Sequence, residues 1–338
     1  MDDEAPFREI IPAQEPGEVQ ALIARMRHLV SARDKGAAMH KRDVHIKMHG
    51  LVRAELTVPD NLPPDLRIGL FARPGTYKAW VRYSNAASYA DADIARDIRG
   101  MAIKVMGVPG KKVLESQADA DTQDFMVVSA FNFPARNAVE IDALVANVVQ
   151  GRIWTKLLFL ITHLSAAWVL FTTMIKHANV LQIRYCSVVP YLFGSHAVKY
   201  VATPRVAEPD ALPSNPSRDF LRDRLVEQLG QGDAVFDFAV QFQRDEACMP
   251  LDDPFRIWSL ALSPPRKVAT LRILKQSFDT EAIRTYGENL SFTPWHCLPE
   301  HRPLGALNRA RKAVYDTMSA FRHDANQVPR REPVDWDL

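Results

Sequence analysis

Residues 42–58 read RDVHIKMHGLVRAELTV and carry the first strand-like pattern of the chain. Apolar side chains occupy positions 44, 46 and 48, and alternate residues of a β-strand face the same side of a sheet. His45, Lys47 and His49 would then share the opposite face. Such a face either lies in solvent or lines a polar site, and the alternation alone favours solvent.

Short strand-like runs recur along the chain, separated by turn signals such as Pro74-Gly75 and Pro109-Gly110. They are IGLFA at 68–72, AWVRYS at 79–84, GMAIKVMG at 100–107, DFMVVSAF at 124–131, VLQIRYCSVVPYLFG at 180–194, AVKYVATP at 197–204, VFDFAVQFQ at 235–243 and KVATLRILK at 267–275. Many short strands with interspersed helices and few βαβ spacings predict an α+β fold. Their number and length favour a closed or nearly closed antiparallel barrel.

The two ends of the chain differ from this strand-rich centre. Apolar residues recur at helical spacing near the N-terminus, at Val19, Leu22, Ile23, Met26 and Leu29, and predict one amphipathic helix. A final helix is predicted around 307–322. We therefore divide the chain into an N-terminal helical extension (1–40), a barrel domain (41–325) and a polar C-terminal tail (326–338), which we expect to be solvated.

Composition excludes several classes of protein. The 338 residues include 42 basic and 40 acidic side chains, so no net field favours nucleic acid. Cys186, Cys248 and Cys297 are far apart and form no CxxC pair, which argues against a disulfide framework or a zinc site. The acidic N-terminus, MDDEAPFREI, is unlike a signal peptide. We expect a cytoplasmic protein with no nucleic-acid partner.

One apolar segment, LLFLITHLSAAWVLFTTMI at 157–175, departs from this picture of a soluble protein. It contains no Asp, Glu, Lys or Arg, and its length approaches the roughly 20 residues that span a bilayer. We interpret it first as a buried or interface helix. A peripheral membrane or lipid contact and a membrane span are the alternatives. The span is disfavoured because the segment interrupts what we predict to be one domain.

Two further stretches hold candidate site residues. Arg311 and Tyr315 are four residues apart and would share a helix face, where a guanidinium group stabilises a phenolate. A phenolate suits ferric iron, although an ordinary amphipathic helix gives the same spacing. The strand-like run at 79–84 embeds Arg82, and a buried arginine needs an anionic partner, which an internal salt bridge would also supply.

The combination and order of these motifs resemble the haem catalases. RDVHIKMHGLVRAELTV is similar to their distal-histidine strand, LFARPGTYKAWVRYSN to the segment that follows it, and ARDIRGMAIKVMGVPG to their DxRGxAxK stretch. ENLSFTPWHCLPEHRPLGALNRARKAVYDTMSAFRH resembles the run into the proximal-tyrosine helix. The resemblance covers roughly residues 40–325 and is strongest to small catalase-related proteins that consist of the core alone. It implies a catalase-like antiparallel eight-stranded β-barrel that binds haem b.

The resemblance also implies roles for individual residues. Tyr315 matches the proximal ligand of the haem iron, and Arg311 matches the arginine beside it. His45 matches the distal histidine, a general acid–base that takes a proton from the peroxide and returns it to the leaving oxygen. Ser84 matches the serine that orients this imidazole.

Cationic residues match the positions that pair with the haem propionates. These are Lys47, Arg82 and Arg322, and Lys47 stands where an arginine is usual. On the distal side, an ungapped alignment of DFMVVSAFNFPARN at 124–137 puts Ser129 where catalases carry an asparagine. Serine is shorter, so we expect peroxidase-like turnover with weaker dismutation, which Ser129→Asn would raise.

The implied function is a haem-dependent peroxidase or catalase that acts on hydrogen peroxide or organic hydroperoxides with a small organic electron donor. One alternative is rearrangement of fatty-acid hydroperoxides, as in allene-oxide-synthase-like members of the superfamily. A non-enzymatic haem-binding protein is another. The apolar segment at 157–175 adds the expectation of a lipid contact and membrane association, and the resemblance adds that of a homo-oligomer.

Overall fold

The fold is built from nine strands and seven α-helices within the residues that the computed structural model describes, 9–149, 152–206 and 208–337. The strands are β1 (Met48–Val58), β2 (Gly75–Asn85), β3 (Arg99–Met106), β4 (Thr122–Val128), β5 (Tyr185–Cys186), β6 (Tyr191–Phe193), β7 (His196–Pro204), β8 (Ala234–Phe242) and β9 (Arg266–Ile273). The helices are α1 (Glu15–Arg33), α2 (Ala138–Leu144), α3 (Ile153–Thr162), α4 (Leu164–Thr173), α5 (Phe220–Gln231), α6 (Glu281–Asn289) and α7 (Ala306–Asn326).

The strands form one closed antiparallel barrel. Their order is β5-β4-β3-β2-β1-β9-β8-β7, and β7 pairs back with β5 to close the eight-stranded ring. The short strand β6 adds a hairpin to β7. The predicted α+β barrel is therefore confirmed. The run at 68–72 is not a strand, because Gly69–Phe71 forms a turn of 3₁₀ helix.

Aromatic side chains fill the barrel interior. Phe71, Phe125, Phe193, Tyr200 and Phe238 pack with ring centroids 4.9–6.2 Å apart, a range typical of favourable aromatic pairs. The core cluster also contains Val81 and Ile103. A filled interior leaves no room for a ligand, so polar chemistry must use the outside of the barrel.

Strands β2, β3 and β4 supply that outside surface, here called the outer face. Its side chains form three cross-strand rows, since residues in register on adjacent strands point the same way. The rows are Ser84–Gly100–Val128, Arg82–Ala102–Met126 and Trp80–Lys104–Asp124. The first two rows line the cavity described below.

A layer of helices covers the outer face. One apolar cluster joins α1 through Leu22 and Met26 to α7 through Ala310, Val314 and Met318. The predicted N-terminal amphipathic helix is confirmed, because its apolar stripe is buried. The predicted C-terminal helix is confirmed as well and is four residues longer than expected at its end.

The apolar segment at 157–175 does not form one buried helix, contrary to our first interpretation. It contributes to two helices, α3 and α4, separated at His163, whose backbone (φ −124°, ψ 60°) leaves the helical conformation. Among the described residues, no single helix is long and apolar enough to cross a membrane. The α3–α4 pair meets that criterion only when taken together, and the two axes are bent by 107°.

The C-terminal tail is not simply solvated, contrary to expectation. After α7 the chain returns to the barrel, where Glu332 lies 2.6 Å from the Nζ atom of Lys104. Lys104 is fully buried and also lies 2.7 Å from Asp124. Burial alone would raise the pKa of Glu332, but the charge of Lys104, the charge of His296 and the hydrogen bonds from Lys104 and Thr122 together more than offset it and lower that pKa to about 2. Trp336 donates to the carbonyl of Ala79 at 3.0 Å.

We expect Lys104→Met to lower the free energy of unfolding by about 3–5 kcal/mol, because two carboxylates would lose their buried counter-charge. Urea denaturation of the full chain measures this. The matched control is Lys78→Met, since Lys78 and Asp335 form an ion pair whose side chains are 48% and 41% exposed. That variant should lose far less stability, because solvent-exposed ion pairs contribute little. Equal losses for the two variants would contradict this account of the tail.

Candidate active site

A cavity of about 340 Å³ lies between the outer face of β2–β4 and α7. Its walls come from these elements, from α1 and α2, and from the π-helical turn Val145–Val149 that follows α2. Most of the lining is aliphatic, with Leu22, Met126 and Val314 among its members. Polar side chains enter at a few defined places, as in typical small-molecule sites.

His45 and Ser84 face the cavity from the barrel side. His45 precedes β1, and its Nδ1 atom lies 3.1 Å from the hydroxyl of Ser84. A positive φ of 58°, uncommon for a residue other than glycine, turns its backbone out of line with the strand. Burial, reinforced by the charges of Arg82, Arg42 and Arg311, lowers the pKa of His45 to about 3. The imidazole is therefore neutral at physiological pH and able to accept a proton.

The lack of a side chain at Gly100 leaves the space that the His45 ring occupies. A Cβ atom at Gly100 would lie 2.6 Å from Cε1 and 2.7 Å from Nδ1 of His45, and 3.1 Å from the hydroxyl oxygen of Ser84. The ring is thus packed directly over the glycine of β3. Any larger side chain at this position would have to displace it.

Arg311 and Tyr315 face the cavity from α7. The Nη2 atom of Arg311 lies 3.5 Å from the phenol oxygen of Tyr315, and the guanidinium carbon lies 5.3 Å from the ring centroid. Asn308 accepts from Arg311 at 3.0 Å and is itself fully buried. Burial opposes the charge of Arg311, but the phenols of Tyr315 and Tyr191 more than offset it and raise the pKa of Arg311.

A cluster of buried arginines lines the same cavity: Arg42, Arg82 and Arg322. Glu288 lies 3.4 Å from Arg42 and 3.8 Å from Arg82, and among the described residues it is the only carboxylate within 4 Å of these guanidinium groups. Burial and the charge of Arg42 lower the pKa of Arg82 to about 9, and the same two causes lower that of Arg322. The cluster is therefore short of negative charge.

Unpartnered donors in the cluster point to an anionic ligand. Arg82 donates from Nη2 to the carbonyl of His45 at 2.9 Å, and Arg322 donates to the hydroxyl of Ser291 at 3.0 Å. The Nε atoms of Arg82 and Arg322 are buried without any hydrogen-bond partner among the described residues. Buried polar groups are normally paired, so these donors fit the carboxylates of a ligand.

Lys47 does not join the cluster, in contrast to the sequence prediction. Its Nζ atom lies 2.6 Å from Asp93 and 2.7 Å from Asp219, and it does not line the cavity. The prediction followed from the resemblance to the catalases, whereas here Asp93 and Asp219 hold the Lys47 side chain outside the cavity lining. Arg42 lies in the cluster instead. Sequence analysis did not single out Arg42, because the resemblance matched other cationic positions.

Ser129 does not reach the cavity either. Its hydroxyl accepts a hydrogen bond from the backbone amide of Arg99 at 2.9 Å, just beyond the end of β4. The residue that lines the cavity here is Val128, in register with Gly100 beneath the His45 ring. The ungapped alignment was therefore one residue out of register for the cavity wall, which is apolar at this position.

We expect Gly100→Ala to displace the His45 ring, because the added Cβ atom would lie 2.6 Å from its Cε1 atom, and the imidazole resonances of His45 in NMR spectra should therefore shift. Gly75→Ala is the matched control, because no atom lies within 4 Å of the added Cβ. Both variants should retain the circular dichroism spectrum of the parent. Unchanged His45 resonances in Gly100→Ala would show that the ring does not pack over residue 100.

Comparison with known proteins supports the architecture. No protein-family profile and no curated protein sequence matches the chain. Three solved catalase structures superpose on it: a fungal catalase (TM-score 0.69, 17% identity, 94% of this chain and 64% of that one), catalase A from Saccharomyces cerevisiae (0.68, 16%, 94% and 66%) and a bacterial catalase (0.67, 15%, 98% and 66%). This chain thus spans just under two thirds of their length. At these identities the likeness establishes the fold, which is that of the catalases.

Proposed function

We propose that this protein binds haem b in the cavity, with Tyr315 as the ligand of the iron, and acts on peroxides as a peroxidase or catalase. The observation that carries the proposal is the convergence of two functional pairs on one apolar cavity. His45 and Ser84 approach from the barrel, and Arg311 and Tyr315 approach from α7. Similarity to the catalase fold supports the same conclusion.

The residues around the cavity suit haem. Aliphatic walls favour a porphyrin ring, and the unpartnered Nε atoms of Arg82 and Arg322 suit its propionates. Tyr315 offers the phenol oxygen known as an iron ligand from haem proteins of this type, and the guanidinium group of Arg311 lies 3.5 Å from that oxygen. Arg42 replaces Lys47 in the proposed propionate-binding set, beside Arg82 and Arg322.

Haem iron, when bound, supplies the redox chemistry that breaks the O–O bond of a peroxide. The chain supplies the proton transfers. His45, neutral because its pKa is lowered, accepts the proton of the incoming peroxide and donates it to the departing oxygen. Ser84 fixes the ring through Nδ1, which leaves Nε2 for this exchange. The two electrons that complete a peroxidase cycle come from a small organic donor.

We expect Tyr315→Phe to lower peroxide turnover by about a hundredfold or more, because the variant lacks the anionic ligand. Donor oxidation by the haem-supplied protein measures this. Tyr286→Phe is the matched control, since Tyr286 packs on Trp80 and does not line the cavity. If Tyr315→Phe kept full turnover, the proposed ligand would be wrong.

The apolar side chain of Val128 leads to a second prediction, which concerns oxygen release from hydrogen peroxide. A carboxamide at this position would give peroxide a hydrogen-bond donor near His45, so Val128→Asn should raise oxygen release from hydrogen peroxide several-fold. Ser129→Asn should not, because residue 129 lies outside the cavity lining. An oxygen electrode measures both. A gain in the second variant alone would restore the alignment-based assignment of Ser129.

Rearrangement of fatty-acid hydroperoxides is a second candidate function. The apolar wall at Val128 and the exposed apolar surface of α3 and α4 favour it. Its product is an epoxide-derived lipid and needs no electron donor, whereas a peroxidase yields the lipid alcohol and an oxidised donor. Mass spectrometry of the products from one lipid hydroperoxide separates the two. Haem uptake with no turnover of any peroxide would indicate a haem-binding protein instead.

A further inference from the structure

The α3–α4 pair presents an apolar surface to solvent. Trp154, Leu158, Ile161, Leu164, Trp168 and Phe171 are each 63–76% exposed, and they define what we call the hairpin surface. Singly exposed apolar residues are common on proteins, but six on two consecutive helices indicate an interaction site.

The fold holds this surface outward. Phe159 of α3 and Ala166, Val169 and Thr173 of α4 are buried, so each helix uses one face for packing and leaves the other in solvent. At the bend, the ring of His163 stacks on Phe159 with centroids 4.2 Å apart. The exposed faces of α3 and α4 are therefore fixed in place by the packing of their buried residues.

The segment that carries the hairpin surface has charged side chains of one sign. The sequence contains no Asp or Glu between Asp142 and Glu208, whereas Arg152, Lys156 and Lys176 lie at the ends of the two helices. Arg96 adds a further cation, with its guanidinium carbon 5.3 Å from the ring centroid of Phe171. Apolar helices rimmed by cations, with tryptophans among the outward side chains, are typical of segments that lie in a membrane interface.

We propose that the hairpin surface docks this protein on an anionic lipid bilayer, with α3 and α4 lying in the plane of the headgroups. The axes of α3 and α4 are bent by 107° from one another, and at this angle both helices can lie in one plane of headgroups. A second copy of the chain is a poorer occupant, because two such surfaces would bring cations together without carboxylates to pair them.

One wall of the cavity is in contact with α3. The π-helical turn Val145–Val149 precedes α3, and Val149 both lines the cavity and is 37% exposed. A peroxide carried on a lipid acyl chain would thus meet the cavity edge at the membrane. This second step rests on the proposed function, because it names lipid hydroperoxides as the substrates of the same site. Docking itself does not depend on haem.

Vesicle co-sedimentation of the full chain tests docking. We expect binding to mixed phosphatidylcholine–phosphatidylglycerol vesicles to be at least about tenfold stronger than to phosphatidylcholine alone, since each cation near the surface contributes about fivefold. The double variant Trp154→Glu, Trp168→Glu should lose this binding. A matched double variant on another surface, Ile257→Glu, Leu262→Glu, also replaces exposed apolar residues and should keep it.

Three outcomes would overturn the proposal. The first is that the parent sediments with neither kind of vesicle, and the second is that both double variants lose vesicle binding equally. The third is that light scattering shows a dimer for the parent and the control variant but a monomer for the tryptophan variant. The last outcome would assign the surface to a second copy. Haem uptake and turnover of a water-soluble peroxide should be unchanged in the tryptophan variant. Failure of docking and failure of the haem assignment are therefore measured separately.

Discussion

Buried positive charge at the cavity is the constraint on which the site depends. Arg42, Arg82 and Arg322 are largely removed from water, and among the described residues Glu288 is the only carboxylate within 4 Å of any of them. A buried guanidinium group without a full set of partners is costly. The Nε atoms of Arg82 and Arg322 are buried and have no hydrogen-bond partner in the described part of the chain. An anionic ligand would remove that cost. The stability of the apo-protein and its affinity for such a ligand are thus linked, since a ligand that binds only the folded state stabilises it.

The barrel provides the rigid geometry that this charge requires. Its interior is filled by aromatic rings, so the outer face of β2–β4 serves as a firm wall for the cavity. Register across that wall brings Ser84, Gly100 and Val128 into one row, and the row fixes where the His45 ring can lie. α7 closes the opposite side, and the segment after it is held to the barrel by the buried pair Lys104–Glu332.

Much of this arrangement could be predicted from the sequence. Ordered motifs placed His45, Ser84 and Arg82 in one predicted site, and Arg311, Tyr315 and Arg322 on one helix. The structure brings these six residues around one cavity. Alternation of strand residues was a poor guide near His45, because the backbone there is not extended.

Long-range contacts account for the other differences. Nothing local in the sequence indicates that Glu332 would pair with Lys104, which lies 228 residues away. Composition likewise could not tell whether the apolar segment at 157–175 would be buried, because burial depends on which surfaces the rest of the chain offers. The structure leaves one face of each helix exposed, and this exposure carries the docking proposal.

Titration of the apo-protein with haem, followed by visible absorption and resonance Raman spectroscopy, tests the central claim most directly. The account predicts saturable uptake of one haem per chain, a high-spin ferric spectrum, and vibrations of a tyrosinate bound to iron. It also predicts a higher thermal midpoint once the arginine charges are paired. Absence of saturable uptake, or a bound haem with histidine as its only protein ligand, would contradict it.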